Sequence, residues 1–93
     1  MENNNETYTE ELVLISEKVD VNNNVVLYND DVNTFDYVIE SLIKICKHDL
    51  IQAEQCTYLV HYKGRCAVKA GSFSELKPIQ EALGDRGLTA AIE

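Results

Sequence analysis

The residues best suited to chemistry sit at one junction and on one helix. Asn29, Asp30 and Asp31 are adjacent in the segment Tyr28-Asn29-Asp30-Asp31-Val32-Asn33-Thr34-Phe35, which separates a short β-favouring run from an amphipathic helix. Carboxylates and amides at such a junction either cap the helix by accepting backbone N–H groups or grip something positively charged. His61 lies late in a second helical stretch. A lone histidine there is most often a satisfied structural residue. Here Thr57 and Ala53 lie on the same helical face, small enough to leave room beside the imidazole. A neutral imidazole accepts a hydrogen bond from an ammonium or acts as a base. Cys46, Cys56 and Cys66 complete the inventory.

A thiol enzyme would pair His61 with Cys56 or Cys46 and orient it with Asp30 or Asp31. Cys56 lies five residues from His61 on one helix, an offset of about 140° that points the two groups apart. The cysteines are ten residues apart and lack the close pairing typical of structural zinc. There is no glycine-rich phosphate loop. We therefore expect no catalytic residue, no metal and no cofactor.

The elements that position these residues follow from periodicity and caps. Residues 1–23 read as an N-terminal extension, partly flexible, with a polar acidic tail and a short apolar run, Leu12–Ile15, suited to a strand or a docking segment. Residues 24–93 read as the folded domain. Val25–Tyr28 is the first strand after the polar Asn22–Asn24 turn. Asn33 is the expected cap of the first helix, with Asp36 three residues on, and Val38, Ile39, Leu42, Ile43 and Cys46 form its apolar face. Asp49 caps a second helix that ends at Gly64. On it Ile51, Gln55, Tyr58, Leu59 and Tyr62 share one side, and Ala53, Thr57 and His61 another. Cys66, Val68 and Ala70 alternate with Arg65, Ala67 and Lys69 as a half-exposed strand. Ser74 is the expected cap of a third helix, which places Pro78 in its first turn; Leu76, Ile79, Ala82 and Leu83 face inward, and Leu88–Ile92 is a final strand. The fold class is α+β: a small three-stranded antiparallel sheet packed against three helices, in the order β-α-α-β-α-β.

Composition narrows the partners. Eight basic against sixteen acidic residues give a net charge of −8 over 93 residues, which disfavours nucleic acid and anionic membranes and suits equally a cationic ligand or basic protein surface and a charge excess that only keeps the domain soluble. No apolar stretch reaches the ~20 residues of a membrane span. An odd number of cysteines and no signal peptide point to free thiols in a reducing cytoplasm.

At this point a resemblance enters. Val26-Leu27-Tyr28-Asn29-Asp30-Asp31, then Thr34-Phe35-Asp36-Tyr37-Val38-Ile39, and later Ala53-Glu54-Gln55 with Val60-His61-Tyr62-Lys63-Gly64, resemble the ATP-dependent Clp protease adaptor family, ClpS, over residues 24–93. The resemblance implies a non-enzymatic adaptor that binds proteins beginning with a large hydrophobic residue (Leu, Phe, Tyr or Trp). It hands these N-degron substrates to a Clp AAA+ unfoldase, of ClpA or ClpC type, working with the ClpP peptidase. An alternative is a module that docks on the unfoldase and alters its substrate choice without reading N-degrons. The domain is expected to be a monomer.

By the same resemblance Asn29, Asp30 and His61 surround the substrate's α-ammonium. Asp31 and Asn33 hold nearby backbone, Phe35, Val38, Thr57 and Leu88 line the hydrophobic hole, and Glu75 falls at the unfoldase contact. The family pattern Asn-Asp-Asp-x-Thr-Pro-Met is here completed by Asn33, Thr34 and Phe35. A rigid ring replaces a flexible thioether at the gate, and Thr57 replaces a larger apolar residue. We expect the smaller Thr57 to offset the bulk of Phe35.

Overall fold

A computed structural model describes residues 23–93. They form β1 (Asn23–Tyr28), α1 (Phe35–Cys46), α2 (Leu50–Lys63), β2 (Arg65–Gly71), α3 (Phe73–Asp85) and β3 (Thr89–Ile92). Of the expected N-terminal extension, Asn23 instead begins β1, and residues 1–22, with the Leu12–Ile15 segment, lie outside the described residues. β1 is the middle strand of an antiparallel sheet of order β2-β1-β3. Its position explains its sequence: Val25, Val26 and Leu27 are all buried, as a strand paired on both edges requires. The core joins Val25 and Leu27 to Val38, Leu42 and Cys46 of α1, Ala53, Cys56 and Val60 of α2, and Leu76 and Leu83 of α3. The fold class and element order are those read from the sequence.

Several local expectations are corrected. Thr34, not Asn33, caps α1, its hydroxyl accepting from the Tyr37 N–H at 3.1 Å. Asn33 is drawn away by two stronger claims on its amide: Nδ2 donates to Asp30 Oδ2 and to the Gly87 carbonyl, both at 3.0 Å. Ser72, not Ser74, caps α3 and forms a reciprocal capping box with Glu75. Pro78 is consequently the sixth residue of α3, where the missing N–H leaves the Ser74 carbonyl without its helical donor.

On α1 the apolar pattern placed Ile43 inward, but Ile43 is 36% exposed while Ser41 is fully buried. The cause is a polar latch: Arg86 Nε donates to Ser41 Oγ at 2.8 Å, and the Tyr37 hydroxyl donates to the Arg86 carbonyl at 2.8 Å. In β2 the register shifts opposite Val25/Val26, so that Val25 pairs with Lys69 and Val26 with Ala67. Val68 is the extra residue of this bulge, and the reversed alternation leaves Ala70 exposed rather than inward. As expected, Asp49 caps α2, accepting from the Gln52 N–H at 2.7 Å, and Gly64 ends it at φ 94°, a conformation glycine adopts without penalty.

Candidate functional site: a small cavity lined by polar and apolar groups

The site is assembled where β1 ends, α1 begins and α2 finishes. The Asn29 N–H donates to the Gly64 carbonyl at 3.0 Å, which fixes the start of the 29–33 loop against the end of α2. Asp30 then organises the loop. Its Oδ1 accepts from the Val32 and Asn33 N–H groups, both at 2.9 Å, and its Oδ2 from the Asn33 amide. Asn33 carries the tie onward to Gly87, beside Leu88. The chain positive-φ Gly87 (85°) therefore turns back where the loop needs an acceptor.

Asp30 thus does the loop-holding expected of Asp31. Asp31 is exposed and makes no side-chain hydrogen bond among the described residues. An ionised carboxylate has about four acceptor sites, so three internal bonds leave Asp30 capacity for one external donor. Burial works to raise its pKa, but the Asn33 N–H, the Asn33 amide and the Val32 N–H outweigh it and hold the carboxyl below its ordinary range.

One cavity brings the sequence-picked residues together. Asn29, Asp30, Asn33 and His61 border it with Phe35, Val38, Thr57 and Leu88. Leu27, Tyr28 and Val60 complete the wall. These three were missed as site residues, since nothing distinguishes them in the sequence from other core positions. Thr57 is buried and donates its hydroxyl to the Ala53 carbonyl at 2.7 Å. With its one proton spent on the helix backbone, it serves as a small wall residue. The free volume is about 30 Å³, room for about two water molecules.

Phe35, half-buried, lines the cavity. Its ring meets Tyr58 and His61 edge-on, with centroids 5.2 and 5.1 Å apart, and His61 meets Tyr62 edge-on at 4.7 Å. Tyr58 and Tyr62 stack at 5.9 Å. These contacts hold the His61 ring among aromatic edges while its residue stays exposed. Tyr58 and Tyr62 were read only as members of one helix side. Their exposure, 52% and 70%, makes them a rim rather than core.

The charge at the mouth is acidic. The carbonyl end of α2 favours a cation and the N-terminal end of α1 opposes it, each by about 0.3–1 kcal/mol. Asp30 borders the cavity and adds a carboxylate there, and Asp36 lies in the first turn of α1.

The remaining chemistry-bearing residues are not part of this arrangement. Burial pushes the Cys46 thiol up to about 11, against the opposing charge of Lys69. Burial, and then the Cys66 thiol beside it, pushes Cys56 up to about 12. Neither is a thiolate at neutral pH, so neither is a ready nucleophile. Among the described residues no three His, Cys, Asp or Glu side chains converge as metal ligands, and no helix is long and apolar enough to cross a membrane. Glu75 lies away from the cavity, exposed, with Oε1 accepting from the Ser72 N–H at 3.0 Å. That hydrogen bond lowers its pKa.

Comparison with known proteins agrees with this geometry. Residues 18–90 match the family model described as ATP-dependent Clp protease adaptor protein ClpS. The chain is 39% identical to the ATP-dependent Clp protease adapter protein ClpS of Pectobacterium carotovorum subsp. carotovorum (strain PC1), over 61% of this chain and 56% of that protein. It is 37% identical to the adapter of the same name from Vibrio atlanticus (strain LGP32), with the same coverage of 61% and 56%. It is also 36% identical to a segment of the E3 ubiquitin-protein ligase UBR1 of Drosophila melanogaster, over 62% of this chain but 3% of that protein. The chain thus spans about half the length of the curated bacterial relatives it matches. The family match covers most of the sequence, including the loop, both walls of the cavity and His61: the chain belongs to the ClpS family.

Proposed function

We propose that the cavity receives the first residue of a protein chain, and that this adaptor delivers such N-degron substrates to a Clp AAA+ unfoldase, of ClpA or ClpC type, for degradation by ClpP. The observation that carries the reading is the convergence of Asn29, Asp30 and His61 on the mouth of one apolar cavity. A free N-terminus is an ammonium joined to a side chain, and its receptor needs acceptors beside an apolar hole. Asp30 has one acceptor site to spare, Asn29 offers its amide oxygen, and a neutral His61 accepts through a ring nitrogen. Asp31 and Asn33 flank this grip: Asn33 holds the loop, and Asp31 adds negative potential. Protonating His61 would set two cations together, so binding weakens as the imidazole becomes charged.

The hydrophobic side chain enters between Phe35, Val38, Thr57 and Leu88. A volume of 30 Å³ is well short of the roughly 150 Å³ that admits benzene. Binding a Leu, Phe, Tyr or Trp side chain therefore requires the Phe35 ring to swing off its contacts with Tyr58 and His61. Burial of such a side chain contributes about 1.5–3 kcal/mol and each charge-assisted hydrogen bond about 1.5–3. After the cost of association, a dissociation constant on the order of micromolar follows. Glu75 is the surface acid assigned to the unfoldase contact, with Oε2 outside the capping box.

Fluorescence anisotropy tests the reading. A Leu-initiated peptide binds, and the same peptide beginning with Ala, or carrying an acetylated N-terminus, binds at least tenfold more weakly. Equal binding of all three sinks it.

The small volume of the cavity, about 30 Å³, favours one rival: a module that docks on the unfoldase and alters its substrate choice without taking a side chain into the hole. Joint substitution Asn29→Ala and Asp30→Ala separates the two. Loss of peptide binding with unfoldase binding retained supports the adaptor. Delivery unchanged by the double substitution supports the rival.

A further inference from the structure

The proposed function has the Phe35 ring swing aside, so the size of the first residue that fits is set by the walls that stay. Leu88 is one of these: it lines the cavity and is 5% exposed. It belongs to no helix or strand, and it follows Gly87, whose φ is 85°. A side chain on such a turn is placed only as firmly as the turn itself is held.

The turn is held from two sides. Its N–H groups go back to α3: Gly87 donates to the Gly84 carbonyl at 2.9 Å and Leu88 to the Leu83 carbonyl at 3.0 Å. Its carbonyls go to the other side of the cavity. The Arg86 carbonyl accepts from the Tyr37 hydroxyl at 2.8 Å, and the Gly87 carbonyl from Asn33 Nδ2 at 3.0 Å. The Arg86 side chain then reaches back to α1. Its Nε donates to Ser41 Oγ at 2.8 Å, and its guanidinium lies over the Tyr37 ring, 4.7 Å from the centroid. Its Nη2 is 3.6 Å from Glu40 Oε1. Ser41, fully buried, donates its own proton to the Tyr37 carbonyl at 2.8 Å. Residues 37 and 86 are thus joined by a hydrogen bond, by a cation over a ring and by a bridge through Ser41. A hydrogen bond from a guanidinium to a buried hydroxyl is stronger than one between neutral groups.

Neither Tyr37 nor Arg86 lines the cavity, but their neighbours do. Val38 follows Tyr37 on α1, and Leu88 lies two residues beyond Arg86. Locking residue 37 to residue 86 therefore fixes the spacing of two walls. We propose that Tyr37 and Arg86 are positioning residues that set the width of the hole between Val38 and Leu88, and so decide which hydrophobic first residue the adaptor prefers. This inference rests on the N-degron reading and names the residues that tune it. With the lock in place the hole stays narrow and favours Leu; with the lock loosened, Leu88 retreats with its turn and the bulkier Trp gains most.

The test measures Leu-, Trp- and Ala-initiated peptides by fluorescence anisotropy on the full chain. Specificity is a ratio of affinities, so the readout is the Leu-to-Trp ratio rather than affinity alone. Tyr37→Phe keeps the ring beneath Arg86 and deletes only the hydroxyl; the ratio should fall at least about threefold. Arg86→Ala should lower it as well, and Arg86→Lys, whose ammonium still reaches Ser41, should restore part of it. Residues that merely support the fold would weaken both peptides alike and leave the ratio where it was. If the Arg86 variants unfold, as their amide spectra would show, Tyr37→Phe alone decides. A smaller change in that variant, or a shift toward Leu, overturns the proposal while Leu still outbinds Ala. Equal binding of Leu and Ala peptides by the wild-type chain defeats the N-degron reading, and this inference with it.

Discussion

The two histidines mark the two ends of the molecule, and they live under opposite constraints. His61 is exposed at the last turn of α2, held by aromatic edges. His48 is buried between α1 and α2, locked to the Val68 carbonyl. At the His61 end aromatic rings border the cavity, and the loop beside it is tied by hydrogen bonds that the Asp30 carboxylate accepts. The His48 end joins three elements at a fixed point: the end of α1, the start of α2 and the bulge of β2. One region keeps its imidazole available to a visitor, and the other makes it part of the frame.

The contrast is broken most decisively by removing the acceptors at the His61 end. Asn29→Ala with Asp30→Ala would delete the two charge-assisted hydrogen bonds proposed to the ammonium, about 3 kcal/mol or more. Leu-initiated peptide should bind at least about 100-fold more weakly, measured by anisotropy. Thermal stability should fall less, since the loop is largely surface. A variant that melts early but binds normally would show that these residues serve the frame after all.

The reciprocal experiment is His48→Ala. It strips the buried Val68 carbonyl of its donor, at a cost of about 1–3 kcal/mol, and a domain of this size loses about 4–8 °C in Tm per kcal/mol. Calorimetry should show that fall while peptide affinity at the distant cavity stays within twofold. A large loss of affinity would mean that the two ends are coupled.

Acid should separate the ends again, by a smaller effect. The folded Asp30 carboxyl sits below the ordinary range because of its N–H donors. Its contribution is therefore complete above that range and is lost as pH falls through its own lower value. Glu75, depressed by the Ser72 N–H, follows the same sign at the α3 cap. From neutral pH down to the ordinary carboxylate range the loop should hold, and below it the Val32 and Asn33 amides should lose protection from hydrogen exchange. Asp30→Asn should abolish that acid step at those two amides. Persistence of the step in the variant would assign it elsewhere.

Much of this arrangement was legible in the sequence where one residue type had one good use. Asp49 and Gly64 bound α2 as read, because nothing competes for either. The misreadings occur where partners distant in sequence compete. Asn33 is a good cap in isolation, yet Asp30 and Gly87 claim its amide, and the neighbouring Thr34 takes the cap. Ser41 is buried with its hydroxyl donating to the Tyr37 carbonyl and accepting from Arg86, which is brought in from the α3–β3 turn. On α2 the large apolar residues Ile51, Tyr58, Leu59 and Tyr62 stay outside while Ala53, Cys56, Thr57 and Val60 are buried. Small residues allow α2 to lie close against α1 and β2, a preference of packing that periodicity alone does not record. The site residues were legible by type and resemblance. That the cavity is small was not, because its volume depends on where the Phe35 ring lies among Tyr58 and His61.

Phe35 gives the finest test of the comparison. Its ring makes two edge-on contacts, with Tyr58 and His61, each contributing about 0.5–1.5 kcal/mol beyond area burial, and under the proposed function a ligand forfeits them when its side chain enters. Methionine at this position keeps apolar bulk but bends to fit, with weaker contacts to the rings. Phe35→Met should therefore tighten Leu-initiated peptide by a few-fold, chiefly through faster association, while the dissociation rate changes little. The gain should shrink when Tyr58→Leu has already removed one of the contacts that hold the gate shut. A Phe35→Met variant that binds more weakly, with faster release, would instead make the ring a wall of the bound state and place this end of the molecule nearer in character to the rigid one.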